Sequence, residues 1–212
     1  MNKLKFLLII LSVLFISSCK NNTSRNKEVN LIVNDFNMSQ LSNLGEKLYV
    51  ITSPISKFNK QSQIYLLDKT KIIFYEDKNV KYIVNSNTAK LLNHEIINLN
   101  GNIEIVDVSD DKNIINADNF YWDLKKSNFI LEGNVRLNNK NVDLLSSKAF
   151  LNKNSNIVKF FKPVKYNYKN NNNNNNTNYK ITSENAYYDL SNESLIFKSE
   201  SKKERVKSKI NF

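Results

Sequence analysis

From Leu48 onward, apolar and polar residues alternate along the chain in short runs. Leu131, Val135 and Leu137 share a period of two in one such run. β-Branched and aromatic residues dominate these runs, and Asn, Asp, Gly or Ser bounds each of them, as is typical of β-strands. No segment after residue 19 repeats its apolar residues every 3.6 positions over three helical turns. The pattern predicts that the body of the protein is all-β.

The alternating pattern also repeats as a unit of two strands. A Ser or Ala opens each unit, a turn follows, and a second apolar run returns along the first. The openings are Ser53, Ser86, Ala117, Ser147 and Ser183, at spacings of 33, 31, 30 and 36 residues. Repeats of this length indicate one supersecondary unit that is stacked many times. We therefore predict a row of stacked antiparallel hairpins.

The longest of these spacings contains seven consecutive asparagines, Asn170 to Asn176. Such a run alone is compatible with an aggregation-prone low-complexity segment. Here it lengthens one connection by about as much as that repeat exceeds the others. Because the entropy of loop closure grows only logarithmically with length, we interpret the run as an expanded loop between strands.

Alignment of the units stacks apolar residues at equivalent strand positions. Side chains two apart in a strand share a face, so these stacks define one inward apolar face. It either fills itself as an ordinary core or forms a cleft between two sheets that is open to an apolar guest. The cleft interpretation predicts that Leu131→Arg leaves the fold intact but prevents binding of that guest. The candidate groove residues are Ile97, Leu99, Ile103, Trp122, Phe129, Leu131, Val135 and Phe161.

The first 19 residues have the order of charge and hydrophobicity of an export signal. Lys3 and Lys5 precede an apolar core from Phe6 to Ile16, which is too short to span a bilayer comfortably. The core ends in Ile-Ser-Ser-Cys, which resembles the lipobox of bacterial lipoproteins, whose Cys carries the acyl chains. We therefore predict a lipoprotein-type signal peptide over residues 1–18 and lipidation of Cys19. The alternative is an uncleaved anchor helix.

The composition of the remaining chain divides it into three parts. Residues 19–45 form a polar tether and an approach segment, whose apolar part, residues 31–44, fits either a short helix or a strand. Residues 46–200 hold the repeated hairpins. Residues 201–212 form a basic tail.

Composition and charge restrict the functions that are open to the chain. Its 212 residues contain one His, one Cys and three Gly, too few for a zinc or iron–sulfur site, a Cys–His nucleophile pair or a P-loop. We expect neither a cofactor nor a metal. The formal charge is +11, or +9 once Lys3 and Lys5 are cleaved off, which suits a ligand with anionic head groups. Nucleic acid also attracts basic chains, but an exported protein rarely meets it.

A series of short motifs in a fixed order resembles the LptC family of periplasmic lipopolysaccharide-export proteins and, more broadly, the OstA-like β-jellyroll repeats. The similarity covers Leu48 to Phe160, and its specificity comes from order and spacing. Its motifs are Tyr49–Phe58, Ile64-Tyr65-Leu66-Leu67, Ile72–Asp77, Tyr82–Ser86, the Gly-containing Leu99–Ile103 and Ile115–Asn119.

The resemblance implies an open, twisted β-jellyroll that is anchored in the periplasm at the inner membrane and is not an enzyme. It would receive lipopolysaccharide from the ABC transporter LptB/LptF/LptG, hold the acyl chains between two sheets, and pass the lipid to an LptA-like jellyroll by edge-strand pairing. Cys19 departs from the family's membrane-spanning anchor, so the outer membrane stays open as a location. The region after Pro163 matches less well.

Two other classes of function stay open. The first is a structural envelope lipoprotein whose β-domain scaffolds other proteins without carrying lipid. The second is a hydrolase, against which the missing nucleophile constellation argues. The pairs Asp110-Asp111 and Glu76-Asp77, and the single His94, lie in predicted turns, where solvated polar side chains are the simpler interpretation.

Overall fold

The computed structural model describes residues 30–108, 114–126, 128–139, 142–152, 156–168, 178–199 and 206–211. These residues form twelve β-strands and no helix, which confirms the predicted all-β class. In this part of the chain no helix has the length and hydropathy needed to cross a membrane. The predicted signal peptide and Cys19 lie outside the described residues, as does the asparagine run.

The strands follow one another through the chain with short turns between them. They are β1 (Asn30–Leu41), β2 (Lys47–Asn59), β3 (Ile64–Glu76), β4 (Asn79–Leu92), β5 (Ile96–Asp107), β6 (Ile114–Asp123), β7 (Asn128–Asn138), β8 (Asp143–Asn152), β9 (Ile157–Tyr168), β10 (Asn178–Asp189), β11 (Ser194–Lys198) and β12 (Lys207–Asn211).

All twelve strands belong to one antiparallel sheet. The order from β1 to β11 is the order in the sequence, so each strand pairs with its neighbours in the chain. The last two strands share one partner: β11 pairs with 185–189 of β10, and β12 pairs with 178–182 of the same strand. The predicted row of antiparallel hairpins is therefore what the chain forms.

Most strands bend near the middle, and the bend divides the sheet into two layers. In β4 every second residue is buried from Tyr82 to Ser86. The next buried residue is Ala89, three positions later and not two, so the alternation changes phase at the bend. The paired strand β5 also shifts register there. The Tyr49 ring lies 4.8 Å from the ring of Trp122, although β2 and β6 are not hydrogen-bonded neighbours. The sheet therefore folds over itself into a jellyroll with an interior.

We call the two halves of the jellyroll the first layer and the second layer. The first layer holds, for example, residues 47–53 of β2 and 70–76 of β3; the second holds residues 55–59 and 64–68 of the same strands. The free ends of the two layers come together along one side, which we call the mouth. Tyr49 and Trp122, each near the end of its strand, mark this side.

A buried serine supports the bend in four of the outgoing strands. Its hydroxyl donates a hydrogen bond to the carbonyl oxygen two residues further on. A β-bulge takes this carbonyl out of the regular ladder of hydrogen bonds between strands. The donor-to-acceptor distances are 2.7 Å for Ser53 to Ile55, 3.2 Å for Ser86 to Thr88, 3.0 Å for Ser146 to Lys148 and 2.9 Å for Ser183 to Asn185. The repeated Ser in the sequence is thus a bending element.

The predicted opening of the fourth unit is wrong by one residue. Ser146 is buried and makes the hydrogen bond at the bend, whereas Ser147 points to the exposed side of β8. Ala149, three residues after Ser146, then takes the inward position that Ala89 takes in β4.

Glycine allows two of the returning strands to bend. Gly101 and Gly133 both have φ of +76°, and the asparagine after each also has a positive φ. This region of backbone space is open to Gly at little cost and to Asn at moderate cost. Beside the second bend, the Asn134 side-chain amide donates to Asp118 Oδ2 at 2.8 Å. Glycine is therefore needed where the backbone turns from one layer to the other.

The sheet extends beyond residues 46–200 at both ends. The approach segment is a strand and not a helix, since β1 pairs with β2 from Asn30 to Leu41. β12 lies within the expected basic tail. Tyr168 of β9 pairs with Tyr179 of β10 on either side of the asparagine run, so the run joins two adjacent strands.

Candidate functional site

The interior between the layers is built from rows of apolar side chains that cross the whole sheet. In one row of the second layer, outgoing strands contribute mostly small residues and returning strands contribute large ones. The small residues are Ser56, Ala89, Ala149 and Ala186, and the large ones are Leu67, Leu99, Leu131, Phe160 and Phe197. This alternation of volume lets side chains from the two layers interdigitate.

Seven of the eight candidate groove residues lie on this inner face. All seven are at most 4% exposed: Ile97, Leu99, Ile103, Trp122, Phe129, Leu131 and Val135. The alignment of the repeats therefore selected the interior correctly for the second and third units. Whether these residues contact lipid is a proposal that we take up below.

Phe161 is placed differently from the other candidates. Phe160 is fully buried on the inner face, and Phe161 points to the outer face of β9. There the ammonium group of Lys159 lies 4.9 Å from the centre of the Phe161 ring. The expectation that Phe161 faces inward is wrong for the same reason as Ser147, since the fourth unit is shifted by one residue.

An aromatic cluster fills the interior along the mouth. Rings from the first layer, Tyr49 and Phe74, contact rings from the second, Trp122 and Phe129, at centroid distances of 4.8 to 5.3 Å. The indole N–H of Trp122 donates to the Lys126 carbonyl at 2.9 Å and fixes the orientation of the ring. Burial raises the pKa of Tyr49, so its phenol is neutral in this cluster.

The burial of Leu131 changes the expectation for this residue. This side chain is 0% exposed, so it does not lie at the rim of an open cleft. The structure therefore favours the other interpretation, in which this face is an ordinary core and Leu131→Arg unfolds the protein.

The interior becomes accessible at the two edges of the sheet. At the first edge, Leu31 of β1 is 50% exposed, and Phe58 and Tyr65 beside it are half-buried with stacked rings 4.4 Å apart. At the last edge, Phe197 of β11 is half-buried against Tyr166, with ring centroids 5.4 Å apart. Apolar inner-face side chains are thus available to a guest at both ends of the row of hairpins.

Polar groups line part of the mouth. A cavity of about 330 Å³ lies between the ends of β4 and β5 and the turns before β9 and β11, with Lys81, Tyr82, Asp107 and Glu193 in its wall. Burial, and then the carboxylates of Asp107 and Glu76, raise the pKa of Tyr82, so its phenol stays protonated. The mouth therefore places polar and ionisable side chains next to the apolar interior.

The outer face carries a separate groove of about 610 Å³ near the bend of β2 to β5. Exposed Ile55 and Leu66 form part of its wall, and Lys57 and Lys90 lie beside them. The alternation of apolar and polar residues does not predict this groove, because residues from four neighbouring strands form its wall. Among the described residues, no group of three His, Cys, Asp or Glu side chains is placed to hold a metal ion.

Comparison with known proteins identifies a family that the chain matches. The sequence model of the family described as "Lipopolysaccharide-assembly, LptC-related" matches residues 4–174. No curated protein matches the chain. The matched segment includes β1 to β9 and thus most of the strands that enclose the interior.

Proposed function

The chain belongs to the LptC family of lipopolysaccharide-assembly proteins, and on that premise we propose that it is the membrane-anchored periplasmic component of the lipopolysaccharide export bridge. A protein of this family is a component of lipopolysaccharide transport, and the family is periplasmic and associated with the inner membrane. In the proposed role the chain receives the lipid from the LptB/LptF/LptG transporter and passes it to an LptA-like jellyroll.

The observation that carries this proposal is the continuity of the apolar inner face. Inward rows run from β1 to β11 without a charged residue in the row that contains Leu131. The same face is accessible at both edges. Acyl chains that enter at one edge would meet apolar surface along the whole molecule, and burial of each methylene contributes about 0.8 kcal/mol.

The two edges of the sheet support the proposed bridge. β1 exposes a 12-residue edge whose sequence, NLIVNDFNMSQL, contains no Lys or Pro. Natural sheets usually guard free edges with such residues or with bulges. β1 is interrupted at Asp35, where φ is positive and no residue of β2 pairs with it, and we propose the regular segment on either side as a site for strand addition. The last edge is divided between β11 and β12. We propose that one edge pairs with the transporter and the other with the next jellyroll.

The competing proposal is a structural envelope lipoprotein that scaffolds other proteins without carrying lipid. The aromatic cluster along the mouth favours it, because buried rings that pack against each other leave no room for acyl chains there. The two proposals differ in whether lipid contacts the inner face at the edges.

Crosslinking from the edges separates the two proposals. We expect a photoreactive phenylalanine analogue at Phe197 or Tyr65 to label lipopolysaccharide in membranes, since both side chains are half-buried on the inner face. The same analogue at Phe161 should not label it, because that residue is half-buried on the outer face of β9. The readout is the fraction of protein with a lipopolysaccharide adduct.

Equal labelling at Phe161 and Phe197 would mean that lipid contacts the protein surface without entering the interior. No labelling at Phe197 and Tyr65 in a folded protein would favour the scaffold. Co-purification of the transporter subunits from membranes tests the partner part of the proposal independently.

Anchoring is proposed to depend on Cys19. We expect Cys19→Ala to block acylation and signal processing, because the thiol carries the lipid and the lipobox ends at this residue. The variant should differ from the wild type in mass by the acyl chains and the uncleaved signal peptide. An unchanged mature mass with unchanged partitioning into detergent would instead indicate a retained anchor helix over Phe6 to Phe15.

A further inference from the structure

The turn between β1 and β2 exposes three leucines next to the mouth. Leu44 at its tip is 87% exposed, and Leu41 and Leu48 on either side are 47% and 37% exposed. Single exposed apolar residues are common on protein surfaces, but three within eight residues of one turn are typical of a contact site.

This turn has a defined shape. The Ser42 hydroxyl accepts hydrogen bonds from the backbone N–H groups of Leu44 and Glu46, both at 3.2 Å. The Ser42 carbonyl accepts a hydrogen bond from the Gly45 N–H at 3.0 Å, and the Ser42 N–H donates to the Glu46 carbonyl at 2.8 Å. Gly45 takes a φ of +78° in open space. The network holds Leu44 outward, so its exposure is built into the turn.

The first residue of β1 and this turn lie on the same side of the molecule. β1 bends at Asp35, where φ is +53°, and passes from the second layer to the first. Its two ends therefore lie at the free ends of the two layers. The contact between Tyr49 and Trp122 shows that these ends meet at the mouth. The chain before Asn30 thus joins the jellyroll on the side where Leu44 projects.

The distance to the anchor is limited by the length of chain before β1. Eleven residues separate Cys19 from Asn30, and at about 3.6 Å per residue they span at most about 40 Å. A chain held at Cys19, or at the apolar core before it, therefore keeps the mouth within that distance of the bilayer.

We propose that the β1–β2 turn inserts into the surface of the bilayer that anchors the chain, with Leu44 at the acyl-chain boundary and Leu41 and Leu48 beside it. This inference rests on the membrane anchoring proposed above. Apolar side chains of peripheral proteins enter the boundary between head groups and acyl chains to a depth of about 5 to 10 Å. The ion pair between Lys78 and Glu46, 3.3 Å long, then lies at the level of the head groups.

Depth-dependent quenching tests the insertion. The full chain is reconstituted into phosphatidylethanolamine/phosphatidylglycerol vesicles with an environment-sensitive fluorophore at Leu44→Cys, with or without lipids that carry a nitroxide on the acyl chain. We expect a blue-shifted emission and at least twofold quenching. Ile55→Cys is the matched control: Ile55 is 48% exposed and lies next to the bend, away from the mouth. Its label should show neither effect, and labelled wild type gives the background from Cys19.

Flotation of the same vesicles separates two kinds of failure. A chain that floats while its Leu44 label stays unquenched contradicts the insertion and leaves the anchoring intact. A chain that does not float contradicts the anchoring and the insertion with it. A blue shift that needs an added protein, without quenching by the lipid nitroxide, overturns the membrane as the occupant in favour of a protein partner.

Discussion

Leu131→Arg is expected to unfold the β-domain. Leu131 is 0% exposed and lies between Phe120 of β6 and Ala149 of β8 in the inward row. The substitution removes the burial of a leucine, about 2 to 3 kcal/mol, and adds a charge that must be desolvated without a partner or displace its surroundings. We expect a loss of more than about 4 kcal/mol, a large share of the 5 to 15 kcal/mol that stabilises a typical domain.

The neighbouring residue provides the control. Ile130 lies on the opposite face of β7 and is half-buried, so Ile130→Arg should cost less than about 1 kcal/mol and retain the β-sheet signal in circular dichroism. Thermal denaturation of both variants gives the comparison. If Leu131→Arg melts near the wild-type temperature, the interior opens at this position, and crosslinking at Phe197 in that variant then shows whether lipid still enters.

Gly133→Ala is expected to destabilise the protein more than the same change at either of the other two glycines. A Cβ at this position would lie 2.5 Å from Asp118 Oδ2 and 2.9 Å from Asp118 Cβ. The backbone also has a φ of +76°, a region in which alanine is strained. Strain and steric overlap act together, and we expect a loss of about 3 kcal/mol in the free energy of unfolding.

The other glycines isolate the two causes. Gly45 has a φ of +78°, and no atom lies within 4 Å of the place that a Cβ would take, so Gly45→Ala reports backbone strain alone, about 1 kcal/mol. Gly101→Ala brings a Cβ to 3.0 Å from Asn87 Nδ2 and should fall between the two. Denaturant titration of the three variants should rank them in this order.

A double variant distinguishes overlap from strain at Gly133. Adding Asp118→Gly to Gly133→Ala removes the atoms that the new Cβ would meet, and the combined loss should be smaller than the sum of the two single losses. Additive losses would mean that the backbone conformation, and not Asp118, sets the cost.

The architecture of this protein could be predicted from the alternation and repetition of its residues. Period-two patterns identified the strands, and the spacing of Ser53, Ser86 and Ser183 located three of the bends. The hydroxyl of each of those serines donates a hydrogen bond to the backbone carbonyl that loses its partner strand at the bend. The repeat is thus visible in sequence because the same backbone problem recurs in each outgoing strand.

The fourth unit was misplaced because two pairs of like residues hide the alternation. Ser146 precedes Ser147 and Phe160 precedes Phe161, so either member of each pair fits a period of two. A further signal was available: a small residue follows three positions after the opening at Ser86-Ala89, and Ser146-Ala149 keeps that spacing. Packing of the layers decided between the registers.

The aromatic contacts between the two layers could not be predicted from sequence. Tyr49 and Trp122 lie four strands apart in the sheet, and their contact depends on how far the twist offsets one layer from the other. Hairpin patterns specify pairing between neighbouring strands and carry no information on that offset. The sequence of β1 fits both a helix and a strand because its pattern changes phase at Asp35, where the strand bends.

The strictly sequential strand order has a consequence for how such a protein changes size in evolution. Every strand from β1 to β11 pairs only with its neighbours in the chain, apart from the added pairing of β10 with β12. Duplication of one internal hairpin would therefore insert two strands without altering the register of any existing pair. Each inserted hairpin would lengthen the sheet by about 10 Å, since paired strands lie about 4.8 Å apart. Gene duplication in units of one hairpin could thus fit a jellyroll of this kind to envelopes of different width.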